Sequence, residues 1–313
     1  MKSERLLWVL HGLLALIFGF YYLGHTVVLN LATPEMLAHF EAHKPYQMRV
    51  LMPLLLLVLE KSGLEIVRGT QLITLASASA IGVTFILFLR EFVGPKATRL
   101  AFLVWPLLFL FFSHRWFYLW DLPSIAFLCL GLWLLQRQKW TIFGIALFFA
   151  SLNRESSVLL ILAFAATYFA PRDPKFWLRV ALYSAIWLGV KLGVSVAFVG
   201  NRGPNIELHW NDNLAFLTHP AAWPVLVWLS FLTLGAMLLA SLLSWRDLPR
   251  LLRVSTLLSP LLLAVLLVVG VLSETRLLGE TIPLLLPPLC VGLQRLTPRA
   301  LQDETCRNRR AAT

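Results

Sequence analysis

Residues 50–59, VLMPLLLLVL, are apolar for ten positions and then stop at Glu60. A helix needs about twenty apolar residues to cross a bilayer. This run is therefore read as an interfacial or re-entrant helix, broken as a regular helix by Pro53. Elsewhere the apolar runs are longer: 58% of the 313 residues are hydrophobic and the mean hydropathy is +0.75. Soluble domains do not have this composition, and the runs lack the alternation of barrel strands. The expected fold class is all-α, a polytopic membrane protein whose helices satisfy their own backbone in lipid. Ten membrane helices are expected, near 6–29, 67–90, 98–113, 123–136, 140–152, 156–170, 178–200, 222–244, 252–273 and 281–296.

Whether 50–60 crosses decides the sidedness of everything after it. With the amino terminus inside and this run not crossing, 18 of the 27 basic residues fall on the inner side and 8 on the outer, with Lys191 alone in mid-helix. That is the asymmetry of the positive-inside rule, and it would reverse if 50–66 spanned. Both termini are then cytoplasmic. Residues 1–296 form a single transmembrane domain with 31–66 as its first outer loop, and 297–313 form a basic tail. The start, basic and then apolar over 6–23, is too long for a cleavable signal and is read as an uncleaved first helix. The net charge of +11 is explained by basic inner loops and does not call for nucleic acid. Cys129, Cys290 and Cys306 imply no disulfide framework.

The acids run the other way, with ten of sixteen outside. Residues 123–170 fit three crossings into 48 positions, so these helices are short and their outer turns lie below the membrane surface. A polar turn at that depth must be buried in protein or line a wet cavity.

The outer candidates each have a plain alternative. Glu35 and Glu41 can act as general base or help hold a metal, or simply form a solvated loop face. His39 and His43, four apart, are a weak metal pair. Gln47 and Arg49 precede the short apolar run, where Arg49 can meet a phosphate or anchor a helix at the interface. His114, Arg115 and Asp121 stand among aromatics, as in a sugar site; the aromatics also suit a membrane belt, and Asp121 suits a helix cap ahead of Pro123. Asn153, Arg154 and Glu155 join two short crossings, where buried charge must be paired. Glu207, His209 and Asp212 fit no metal motif and read as a flexible polar loop. Lys191 can face a cavity or pair with a buried acid. Glu274, Arg276 and Glu280 precede Pro283, Pro287 and Pro288, which are expected to break the last helix beside a site.

Taken together, the stretches TPEMLAHFEAHKPYQMRVLMPLLLLVLE, the 123–170 cluster and ETRLLGETIPLLLPPL resemble the GT-C glycosyltransferases, multi-pass enzymes that use polyprenyl-phosphate sugars. YQMRVLMPLL, WDLPS and SLNRESSVLL are similar to bacterial integral membrane proteins placed in that superfamily. The family's first-loop acid is usually Asp, often with an acidic neighbour; here only Glu35 and Glu41 stand there. The resemblance implies an inverting transfer on the periplasmic face of the inner membrane, from a polyprenyl-phosphate sugar to a glycan, lipid or protein acceptor. It implies a carboxylate base (Glu41 or Glu35, otherwise Asp121) and phosphate stabilisation by Arg276, Arg154 or Arg49, with or without a divalent metal such as Mg or Mn. No protein metal ligand is assigned. The rival classes are a transporter or flippase of a lipid-linked or anionic substrate, and a non-catalytic membrane subunit.

Overall fold

The computed structural model describes residues 2–113 and 116–296, so His114, Arg115 and the 297–313 tail lie outside the described residues. Nearly all of the described chain is helical. Six stretches are long and apolar enough to cross a membrane: Glu4–His25, Ile66–Phe111, Pro174–Ala197, Val225–Leu243, Arg250–Val269 and Thr275–Gln294. Several present large apolar side chains outward, among them Leu6, Val9, Leu13 and Ile17 near the amino terminus and Leu178, Leu182, Leu192 and Val196 later on. In water such a surface would aggregate, whereas against lipid it is the expected outer face.

The chain opens with α1 (Lys2–His25), which stops four residues short of the expected helix end. There Val27–Val28 (β1) pairs in parallel with Trp116–Phe117 (β2) and ties the first outer loop to the later one. That loop carries the short α2 (Pro34–Ala38), capped by the Thr33 hydroxyl accepting from the Met36 amide. It then carries α3 (Leu51–Lys61), the run expected not to cross. At eleven residues, or about 16 Å, α3 is half a bilayer long. Its Leu51, Met52, Pro53 and Leu56 are buried while Leu54, Leu55 and Val58 are exposed, the one-sided pattern of a helix lying on the bundle. Pro53 does not break it. As the third residue it sits in the first turn, where no intrahelical bond to its nitrogen is needed.

Next comes α4 (Ile66–Val93), which ends at Gly94 with φ +58. The expected helix 98–113 is not continuous: α5 (Ala97–Leu100), a 3-10 turn and α6 (Val104–Phe111) return beside α1. His11 is buried at that seam, its Nε2 donating to the Thr98 carbonyl (2.8 Å) and its Nδ1 accepting from Trp105 (3.0 Å). Both ring nitrogens are satisfied, so His11 is a structural neutral imidazole.

Three short apolar helices follow, α7 (Asp121–Gln136), α8 (Trp140–Asn153) and α9 (Val158–Thr167). At 1.5 Å per residue they measure about 24, 21 and 15 Å, all below the roughly 30 Å of a hydrocarbon core. The remaining helices are α10 (Pro174–Ala197), α11 (Trp210–Thr218), α12 (Val225–Leu243), α13 (Arg250–Val269) and α14 (Ile282–Leu296). Pro287 and Pro288 lie inside α14 without ending it, contrary to expectation. The irregular backbone falls earlier, in the 3-10 segment Thr275–Thr281 that delivers Arg276 and Glu280.

Polar contacts sort to two ends of the bundle. At one end Arg90 pairs with Glu4 and Arg137 with Glu91 (2.8 Å). At the other gather the first outer loop, the start of α7, the α8–α9 turn, the 199–218 segment and Thr275–Thr281.

A candidate site at one end of the bundle

Asp121 is the first residue of α7, and its side chain does not cap that helix. Its carboxylate turns inward instead. One oxygen accepts from Arg154 Nη1 (2.8 Å), the other from Arg276 Nη1 (2.7 Å). Arg154 also lies 3.0 Å from Glu280, and Arg276 Nη2 donates to Glu274. Asp121 and Glu280 are each 2% exposed, Arg276 6% and Arg154 8%. Three distant pieces of chain therefore meet in one buried ion network. A lone buried charge would be prohibitive here; two guanidinium groups shared among three carboxylates are tolerable because each faces an opposite charge.

The local backbone explains how Arg154 arrives. Helix α8 ends at Asn153, whose amide donates to the Trp120 carbonyl (3.1 Å) and the Ser124 hydroxyl (2.9 Å). The chain is then extended at Arg154 before the turn Glu155–Ser157 starts α9. Helix and turn thus aim successive residues in different directions, Arg154 into the core and Glu155 outward.

Glu155 nucleates a second, more open group. Its carboxylate accepts from Arg49 Nε (3.3 Å) and lies 3.6 Å from Lys191 Nζ, while its side chain keeps 44% of its exposure. Lys191, the lone mid-helix cation, also donates to the Ser151 carbonyl (2.7 Å). Arg49 stacks 4.7 Å from the Trp120 ring. Tyr46, Tyr118 and Trp120 form a continuous aromatic stack, with Tyr46 5.9 Å from Tyr118 and 6.3 Å from Trp120. Arg276 lies 3.7 Å from the Tyr118 ring, so the stack touches both the sealed network and the open one. Three side-chain atoms around it are buried without a hydrogen-bond partner: Arg276 Nε, Trp120 Nε1 and Asn153 Oδ1.

The 199–209 segment is docked, contrary to its reading as a flexible loop. Asn201 donates to the carbonyls of Phe40 (3.0 Å) and Ala42 (2.9 Å), and the Lys44 amide donates to Arg202 (2.8 Å). Gly203 makes this fit possible: φ is +93, and a Cβ there would lie 2.5 Å from the Lys44 carbonyl oxygen. The Tyr46 hydroxyl donates to Glu207 (3.2 Å), and His209 pairs with Asp212 (3.1 Å). Burial first, then the Glu207 charge, pushes the Tyr46 phenol up to about 12, and burial raises Tyr118 as well. Both stay protonated donors at any physiological pH.

No family model, curated protein or solved structure matches this chain. The site's chemistry therefore rests on its own residues. Of the expected residues, the structure brings together Asp121, Asn153, Arg154, Glu155, Arg49, Lys191, Glu274 and Arg276. It does not bring Glu35 or Glu41 there. Both are exposed on the first outer loop, and neither makes an ion pair among the described residues. His39 pairs with Glu60 instead of sharing a metal with His43. Gln47 is wholly buried and structural, its amide bridging Ala42 and Leu37 of the same loop. Among the described residues no group of three or more His, Cys, Asp or Glu is placed to hold a metal ion. Glu280, which the sequence placed in the last outer turn without a role, joins the network through Arg154, and the Tyr46–Tyr118–Trp120 stack is a member that the sequence did not assemble.

Proposed function

We propose that this chain is a membrane-embedded glycosyltransferase of the GT-C type, moving a sugar from a polyprenyl-phosphate donor to an acceptor with inversion. What supports the reading is the Arg49–Glu155–Lys191 group: two cations held by an accessible carboxylate, over an aromatic wall, at the end of short helices. An incoming phosphate is a better partner for these cations than Glu155, because it offers more oxygens and the guanidinium fork suits it. The exchange releases Glu155. As the acceptor oxygen attacks the anomeric carbon, its proton passes to Glu155. The carbon–oxygen bond to phosphate breaks, its electron pair stays on the phosphate, and Arg49 and Lys191 hold the charge. Asp121, whose two oxygens already accept from arginines, positions the wall and does not act as base. An apolar crevice between α6, α12 and α14, lined by Leu107, Met237, Leu286 and Leu289, suits the prenyl chain.

The test is consumption of a labelled polyprenyl-phosphate sugar by detergent-solubilised protein, which a transporter would not perform without two compartments. Arg49→Ala should lower the rate by about 10²–10³, while Glu41→Ala and Glu35→Ala leave it near wild type. Wild-type turnover unaffected by Arg49→Ala would remove this site from the chemistry.

In this reading all ten apolar segments traverse the bacterial inner membrane, both termini are cytoplasmic, and the site faces the periplasm. Cysteines introduced at Ser62 and Asp173 should then react with impermeant reagents from opposite sides. Labelling of both from one side defeats the topology.

A further inference from the structure

At the opposite end of the bundle, between α7 and α8, lies an open crevice of about 390 Å³. Phe127, Leu130 and Trp133 form one wall, and Ile142, Ile145 and Phe149 the other. From Phe127 to Arg137 the groove runs about 15 Å at 1.5 Å per residue, half of a roughly 30 Å hydrocarbon core and so the depth of one leaflet. Its mouth is basic. The turn there passes through Gln138 with φ +54, placing Arg137 and Lys139 on either side of the opening. Arg137 gives Nε to Glu91 (2.8 Å) and lies over the Trp133 ring (5.9 Å), and its terminal nitrogens make no hydrogen bond among the described residues. Lys139 is exposed, with no side-chain partner among the described residues. Trp133 donates to Glu91, and Trp140 lies under Arg179 (4.6 Å), so aromatic rings flank the basic mouth, as interfacial aromatics do.

We infer that this groove is a binding site for one anionic phospholipid, an acyl chain between α7 and α8 and its phosphate on Arg137 and Lys139. The short helices leave the gap, and the chain fills what a full-length helix pair would have covered. The inference does not rest on the transferase reading, since it concerns the other end of the molecule.

Native mass spectrometry of the delipidated full-length protein, with phosphatidylglycerol or phosphatidylcholine added at equal concentration, tests it. One phosphatidylglycerol should bind per chain, with about a fivefold preference from Lys139, the cation at the mouth that no acid already pairs. The exposed pair Arg137→Ala/Lys139→Ala should lose that preference, and Ala146→Leu, which fills the groove floor and keeps both cations, should lose the lipid itself. Equal binding of the two lipids, unchanged phosphatidylglycerol binding in either variant, or its displacement by polyprenyl phosphate would each overturn the assignment.

Discussion

Replacing Asp121 by alanine should destabilise the folded bundle by about 3–5 kcal/mol, because it leaves two buried guanidinium groups short of their shared counter-charge. Arg154 would retain only Glu280, and Arg276 only Glu274. Neither can turn to water, since both side chains are less than a tenth exposed. The penalty comes from the stranded partners, not from the loss of the carboxylate itself. The double replacement Asp121→Ala/Arg276→Ala should therefore fall short of the sum of the singles by about 0.5–3 kcal/mol. Glu41→Ala, on an exposed loop, should stay within about 0.5 kcal/mol of wild type. Thermal or SDS unfolding in detergent micelles measures all of these. A shift under about 1 kcal/mol for Asp121→Ala would mean that water reaches the network and that it is not sealed.

The same residue shows what a single chain discloses. Hydropathy and run length revealed the helical class and the shortness of α3 and of α7 to α9, since these follow from counting apolar residues against a bilayer. Counting also put Asp121 and Arg154 at turns below the membrane surface and Arg276 at the last outer turn, without deciding between a structural and a chemical role. It could not pair them. Asp121 and Arg276 are 155 positions apart, and no local periodicity encodes which helix ends meet. For that reason the first-loop acids Glu35 and Glu41 looked as good as Asp121, although both stay in solvent. Proline misled twice. Pro53 and the Pro287–Pro288 pair were read as breaks, but one lies in a first turn and the others are carried by a buried helix. The docking of 199–209 was equally hidden, because it depends on Asn201 and Gly203 meeting carbonyls of residues 40–44 across the fold.

Glu155→Gln should separate binding from chemistry. In the resting protein Glu155 competes with any incoming anion for Arg49 and Lys191, so the apparent donor affinity is reduced by the fraction of sites still self-paired. Glutamine keeps the shape and removes the charge. The two cations then lose their internal counter-ion, and the KM for a polyprenyl-phosphate sugar should fall, or at least not rise. On the proposed transferase reading the proton acceptor is lost in the same step, and kcat should drop by about 10²–10⁴. A positioning role for Glu155 predicts the opposite split: loosened cations, a raised KM and a kcat close to wild type. Arg49→Lys sharpens the distinction. It keeps the charge over Trp120 but not the planar fork, so it should weaken donor binding while leaving the acid dependence of kcat unchanged. An unaltered kcat in Glu155→Gln would move the base elsewhere. Glu207, bonded to Tyr46 at the edge of the aromatic stack, would then be the next acid within reach.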